Sequence, residues 1–195
     1  MQQITLQLTG ESPLLLHSDR GANPLAAATI AHKALTSKRK KTDEDHIAIA
    51  QSEYLLGFYV SKSGTIVIPT TNIKSAVTEG ARLHKLGASF NRAVMILEDT
   101  AAIVHAGPST PEKMWETPTC VDARSVKVGQ ARIMRYRPKL NDWSLSVCVH
   151  FDEGMVERAQ LMAAAANAGL YIGLGDYRPA KGGAFGRFSV SEAAA

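Results

Sequence analysis

From residue 3 to residue 9 apolar and polar side chains alternate, with Ile4, Leu6 and Leu8 on one side and Thr5, Gln7 and Thr9 on the other. That period of two predicts a half-buried strand. The turn GESP and a short apolar segment at 14–16 lead into a polar loop, HSDRGANP. Residues 24–36 are rich in alanine and predict a helix, with Pro24 suited to its first turn. A second helix is predicted from about residue 42 to residue 56, capped by Thr42 or Asp43, with acidic residues in its first turn. FYVSKSGTIVIP reads as a β-hairpin turning at 62–64. Thr70 or Thr71 then caps a helix through about residue 84, whose buried stripe is Ile73, Ala76, Val77, Gly80 and Ala81.

Strands are predicted around 93–97 and 100–105, split by Glu98 and Asp99. Residues 106–119 are rich in proline and lack periodicity, so an exposed loop carrying Trp115 is expected. Two β segments follow, at 124–137 and 143–151. The second alternates cleanly, with Leu145, Val147, Val149 and Phe151 inward. A helix is predicted over 153–168, capped by Asp152 and ended by Gly169. The glycine-rich stretch GLGDYRPAKGGAFG, residues 173–186, leads to a strand at 187–190 and a frayed tail, SEAAA. Without the insertions the order is strand, helix, strand, strand, helix, strand. That is the α+β, ferredoxin-like order of RNA-recognition folds. One domain is expected over 1–195, with 10–67 a mainly helical insertion after the first strand and a basic β-hairpin beyond the middle of the chain.

Composition adds little until charge is read by position. Of 195 residues 45% are hydrophobic, enough for a packed core and too many for a disordered chain. No stretch approaches the ~18 apolar residues of a membrane helix. The opening MQQITLQLTG alternates instead of forming a signal core, so the cytoplasm is expected and a membrane is not. Cys120 and Cys148 are too few for a disulfide framework and too far apart for a CxxC motif. The 22 Lys plus Arg exceed the 18 Asp plus Glu by only +4. They are clustered, however. Lys38, Arg39, Lys40 and Lys41 form one run. Arg124, Lys127, Arg132, Arg135, Arg137 and Lys139 follow one another with no acidic residue between them. Arg178, Lys181 and Arg187 are interleaved with Tyr177, Phe185 and Phe188. A face of this kind neutralises phosphates and gives salt-dependent binding.

Three segments carry possible chemistry. In IPTTNIKSAVTEGARLHK, a strand ends at Pro69, Thr70 and Thr71 cap a helix, and Lys74 lies in the first turn. Helix-terminal N–H groups, hydroxyls and a cation suit a phosphate. In 173–186, glycines such as Gly182 and Gly183 let backbone amides approach a phosphate, with Arg178, Lys181 and Arg187 supplying charge. The stretch lacks a GKS or GKT ending and does not join a strand to a helix, which disfavours nucleotide hydrolysis. In the basic strand pair, Arg132, Arg135 and Arg137 accompany Tyr136 and Trp143, rings able to stack on bases.

The strand–helix motif I-P-x-[ST]-x-[IL]-K-x-A, matched by Ile68, Pro69, Thr71, Ile73, Lys74 and Ala76 with Arg82 following, resembles the repeat-associated mysterious protein (RAMP) superfamily. So does the run of Gly173, Gly175, Gly182, Gly183 and Gly186. The opening ITLQLTGESPLLLHS is similar to the family's first strand and loop. Thr70 and Thr71 stand where the family carries a glycine pair. The resemblance implies a modified RNA-recognition fold like the backbone subunits of CRISPR effector complexes. It implies contacts from Thr70, Thr71, Lys74 and the glycine loop to the backbone of single-stranded RNA or DNA. It also implies several copies of the chain along one strand, as a homo-oligomer or filament, and other effector-complex subunits as further partners.

A stand-alone phage single-stranded DNA-binding protein would use the same surface. An adaptor acting through Trp115 and the proline-rich loop is a separate class. Some RAMP relatives cleave RNA with a histidine, and His17, beside Asp19 and Arg20, is the best-placed one for acid–base work. No histidine pair has HxxxH spacing and no GxSxG motif occurs, so neither a metal nor a cofactor is expected.

Overall fold

The computed structural model describes residues 1–193. In chain order the elements begin with β1 (Gln2–Gly10), β2 (Leu14–Leu15), α1 (Ala27–Thr36), α2 (Asp43–Leu56), β3 (Val67–Pro69), α3 (Thr70–Arg82) and α4 (Gly87–Ala93). Three short strands follow, β4 (Val94–Met95), β5 (Thr100–Ala102) and β6 (Val104–His105), then a one-turn helix, α5 (Pro111–Trp115). Beyond it come β7 (Val121–Val128), β8 (Ala131–Leu140), β9 (Trp143–Phe151), α6 (Arg158–Asn167) and β10 (Phe188–Glu192). The class is mixed α+β with antiparallel sheets. The chain forms two compact units. The first gathers residues 1–14, 60–106 and 141 onward; the second gathers 15–59 and 107–140. The helices expected as an insertion over 10–67 thus fold with the basic hairpin, and 60–67 belongs to the first unit.

In the first unit the sheet runs β10-β1-β9-β4, every pair antiparallel, with β6 also on β9. Alternation decides which side is buried. Ile4, Leu6 and Leu8 of β1 and Leu145, Val147, Val149 and Phe151 of β9 are all buried, as the period of two requires. Helices α3 and α6 contribute Ile73, Ala76, Val77, Leu161, Ala164 and Ala165 to the core. The two helices meet at Gly80, where a Cβ would lie 2.3 Å from the Ala164 carbonyl oxygen. Only glycine permits that approach.

Several expected boundaries move. Residues 153–157 form a turn in which the Asp152 carboxylate accepts the Gly154 N–H; α6 starts at Arg158, where Glu157 and Gln160 form a reciprocal capping box. Gly169 does not end the helix. It lies buried in a π turn, Ala168–Ile172, close against the Phe188 carbonyl. The expected hairpin at 58–69 is reduced to an isolated bridge between Val60 and Ile66, and β3 pairs with β5 instead. Of the tail expected to fray, Ser191 and Glu192 complete β10; Ala194 and Ala195 lie outside the described residues.

In the second unit α2 begins with a capping box, Thr42 Oγ1 accepting the Asp45 N–H and the Asp45 carboxylate accepting the Thr42 N–H. Pro24 precedes α1 in a turn instead of opening it, and α1 buries no residue. The stretch expected as an exposed loop folds into α5, whose Thr110 hydroxyl accepts the Lys113 N–H and whose Met114 is buried. Trp115 packs on Tyr54 and Tyr136, with ring centroids 5.3 and 6.0 Å away, and Tyr54 packs in turn on Phe58. The Tyr54 hydroxyl donates to the Cys120 carbonyl at 3.0 Å, and burial pushes that phenol well above its ordinary pKa. Strands β7 and β8 form the expected basic hairpin, turning at Gly129 with φ +61°.

Candidate nucleic-acid interface

The start of α3 separates two neighbouring threonines. Pro69 is the N-cap residue and supplies no side-chain cap. Thr70 is buried, its hydroxyl donating to the Glu98 carbonyl and its N–H to the Asp99 carbonyl. It therefore serves the fold and neither caps the helix nor faces a ligand, contrary to the sequence expectation. Thr71 is exposed. From it Lys74, Ser75, Thr78, Glu79 and Arg82 recur at i+3, i+4, i+7, i+8 and i+11, one face of a helix. With Asn91 of α4 they line a concavity of about 230 Å³. Arg82 reaches it because α4 begins at Gly87, where a Cβ would stand 2.4 Å from Arg82 Cγ, and its guanidinium pairs with Glu79. Hydroxyls, an amide and two cations can surround a phosphate as donors. Ser75, Thr78 and Asn91 were not expected from the sequence. The helical period that marked the buried stripe also fixes Ser75 opposite it; Thr78 is itself buried, and Asn91 comes from another helix.

The glycine-rich stretch serves its own folding more than expected. Gly173, Gly175, Gly182 and Gly186 adopt positive φ, which favours glycine. A Cβ on Gly183 would fall 1.7 Å from the Tyr177 carbonyl oxygen, so Gly183 is consumed by packing; Gly182 has nothing within 4 Å. Arg178 Nη1 donates to the Gly175 carbonyl at 3.0 Å. Lys181 is exposed at the end of a 3₁₀ turn, Pro179–Lys181, while the Arg187 N–H donates to Ser12 Oγ at 2.9 Å. Trp143 is no stacking ring: it is 3% exposed and its indole N–H donates to the Ser12 carbonyl at 2.9 Å.

In the second unit the hairpin register divides the predicted cations. Arg124 lies opposite Arg135, and Asp122 opposite Arg137, on one face; Lys127 lies opposite Arg132 on the other. Arg124 is held by both oxygens of Asp122, one at 2.6 Å, and Arg135 Nη1 meets Glu53 at 2.7 Å. Lys127 and Arg132 are exposed near the tip. In the lysine-rich run Lys38 pairs with Asp45 at 2.5 Å and Lys41 donates to the Lys38 carbonyl at 2.8 Å; Arg39 and Lys40 are exposed. Carboxylates outside the basic runs, Asp45 and Asp122 close by and Glu53 remote in sequence, thus reach cations within them. Tyr136 packs against Trp115, which also removes the exposed ring expected at 115.

His17 is exposed and lines a concavity of about 300 Å³ with Asp19, His32 and Glu53. His32 Nδ1 is hydrogen-bonded to Ser52 Oγ at 3.0 Å. Among the described residues no three His, Cys, Asp or Glu side chains are placed to hold a metal ion. Cys148 lies 3.7 Å from His150, but desolvation holds its thiol above its ordinary pKa, the reverse of an activated nucleophile.

The chain matches no family model and no curated protein. Among the described residues no helix is long and apolar enough to cross a membrane. The outer face of the sheet bears on function too. It presents Gln3, Thr5, Gln7 and Thr9 from β1 and Ser144, Ser146, Cys148 and His150 from β9. RNA-recognition sheets stack bases on aromatic residues of that face. These eight positions hold no Phe, Tyr or Trp.

Proposed function

We propose that this chain binds single-stranded nucleic acid by its sugar–phosphate backbone, without reading sequence, several copies lying along one strand. The observation that carries this reading is the stripe of Thr71, Lys74, Ser75 and Thr78 on α3, closed by Arg82 and Asn91 around one concavity. It offers donors suited to phosphate oxygens, and contacts of that kind position a strand without reading its sequence. Lys181 and the open Gly182 in the first unit, and Lys127 with Arg132 in the second, supply further backbone contacts. The sheet order β10-β1-β9-β4, with α3 and α6 as crossovers, supports a ferredoxin-like core, and with the strand–helix motif it supports a RAMP-like protein.

The test is fluorescence anisotropy with labelled single strands of RNA and DNA of mixed and uniform sequence, and with the matching duplex. Affinity should fall steeply with salt and vary little with sequence. Equal affinity for duplex removes the single-strand reading.

A further inference from the structure

A backbone grip leaves open what keeps duplex out, and neither the sheet face nor Trp143 supplies a stacking ring. The exposed rings of the first unit lie elsewhere, at Tyr171 and, within the glycine-rich loop, at Tyr177. Tyr177 is 45% exposed, and its ring lies 6.1 Å from that of Phe185, tilted by 38°. Tyr177 has φ +48°. A bulky side chain rarely adopts the left-handed region, which is strained for it. The surrounding bonds hold it there. The Phe185 N–H donates to the Tyr177 carbonyl at 3.2 Å, the Gly183 N–H to the Arg178 carbonyl at 3.0 Å, and Arg178 Nη1 to the Gly175 carbonyl. The absence of a Cβ at Gly183 lets the chain pass directly over Tyr177. A loop that needed only to turn would place asparagine or glycine at 177. This one keeps a large ring at a strained position, paired with a second ring, with the Lys181 ammonium on the intervening turn.

We propose that the Tyr177–Phe185 pair is a stacking platform for an unpaired nucleobase of the bound strand. Every base offers a π face, so such a platform adds affinity without selecting sequence, and a paired base cannot occupy it without leaving its duplex stack. Lys181, exposed on the turn between the two ring positions, would supply a cation to the strand's backbone. This inference rests on the backbone-binding reading and adds a base-dependent part to it.

The experiment measures binding of a labelled oligothymidylate and of an abasic strand of the same length, which keeps the sugars and phosphates and lacks the bases. Wild-type protein should prefer the strand with bases by about 5- to 140-fold, the range one stacked base gives. Tyr177→Asn, which suits the left-handed backbone, and Phe185→Leu should each lose most of that preference and bind the abasic strand as wild type does. Their melting curves establish that they are folded, and if Tyr177→Asn does not fold, Phe185→Leu decides the matter. Wild-type protein that binds both strands equally overturns the platform and leaves the backbone reading intact. Variants that weaken both strands alike also overturn it, since the loop would then act only on the backbone contacts. Wild-type protein that binds neither strand overturns both.

Discussion

Lys74 and Arg82 stand on one face of one helix, yet among the described residues only Arg82 of the two is tied to a carboxylate, Glu79. Replacing Lys74 by alanine should weaken all single strands alike, lower the slope of log K against log salt by about 0.7, and leave stability within about 0.5 kcal/mol. Glu79→Gln should instead tighten binding, because it frees a cation; anisotropy titrations of both variants check this. The sequence pointed to Thr71 and Lys74 because a helix period and a strand end are local properties. It could not separate Thr71 from Thr70, whose fate is set by the carbonyl of Glu98, 28 residues away. His105 is a further residue-scale case. Its Nδ1 is buried without a hydrogen-bond partner among the described residues, and burial holds the imidazole below its ordinary pKa of 6.5. The unfolded chain therefore takes up a proton before the folded one does. The stability from the neutral ring is present above pH 6.5 and is lost as pH falls through 6.5 towards the lower folded value. Urea unfolding at pH about 7.5 and about 5.5 should show this loss in wild type and a smaller one in His105→Leu.

Elements whose cause is local were legible. Helix α2 announces itself by Thr42 and its acidic first turn, and β1 and β9 by strict alternation. Elements decided by competition were not. Asp152 and Glu157 both suit a helix start, and the reciprocal box with Gln160 prevails. Prolines at 108, 111 and 118 suggest a loop, but Pro111 after Thr110 is also a good first turn, and burial of Met114 closes the case. The packing of α3 on α6 is the element-scale test. Gly80→Ala places a methyl group against main-chain atoms of α6 and of the π turn after it that cannot step aside, since Ala164 O and Ala168 N lie 2.3 and 2.8 Å from its position. A loss of about 1–3 kcal/mol is expected in thermal or denaturant unfolding, although alanine is the better helix former. An unchanged midpoint means that the two helices do not meet as closely as described.

At the scale of the whole molecule, the net charge of +4 understates the basic clusters, and the clusters overstate the free charge. Asp45, Glu53 and Asp122 lie outside the basic runs, and each meets a cation within them. Thirteen lysines and arginines are candidate contacts from the sequence. Neutralising thirteen phosphates of a single strand would give a slope of log K against log salt near −9, at about 0.7 each. The measured slope should be clearly shallower, and a value near −9 would show that the carboxylates release their partners on binding. The topology of the first unit has a different consequence, in the time of synthesis. Gln7 faces Ser146 on one side and Ser191 on the other. A ribosome adding about 5–20 residues per second needs roughly ten seconds to travel from β1 to its first neighbour. Throughout that interval Ile4, Leu6 and Leu8 have no strand to lie against. The nascent chain thus carries an open apolar face from the synthesis of β1 until that of β9, and that window is where chaperones and early aggregation compete for it.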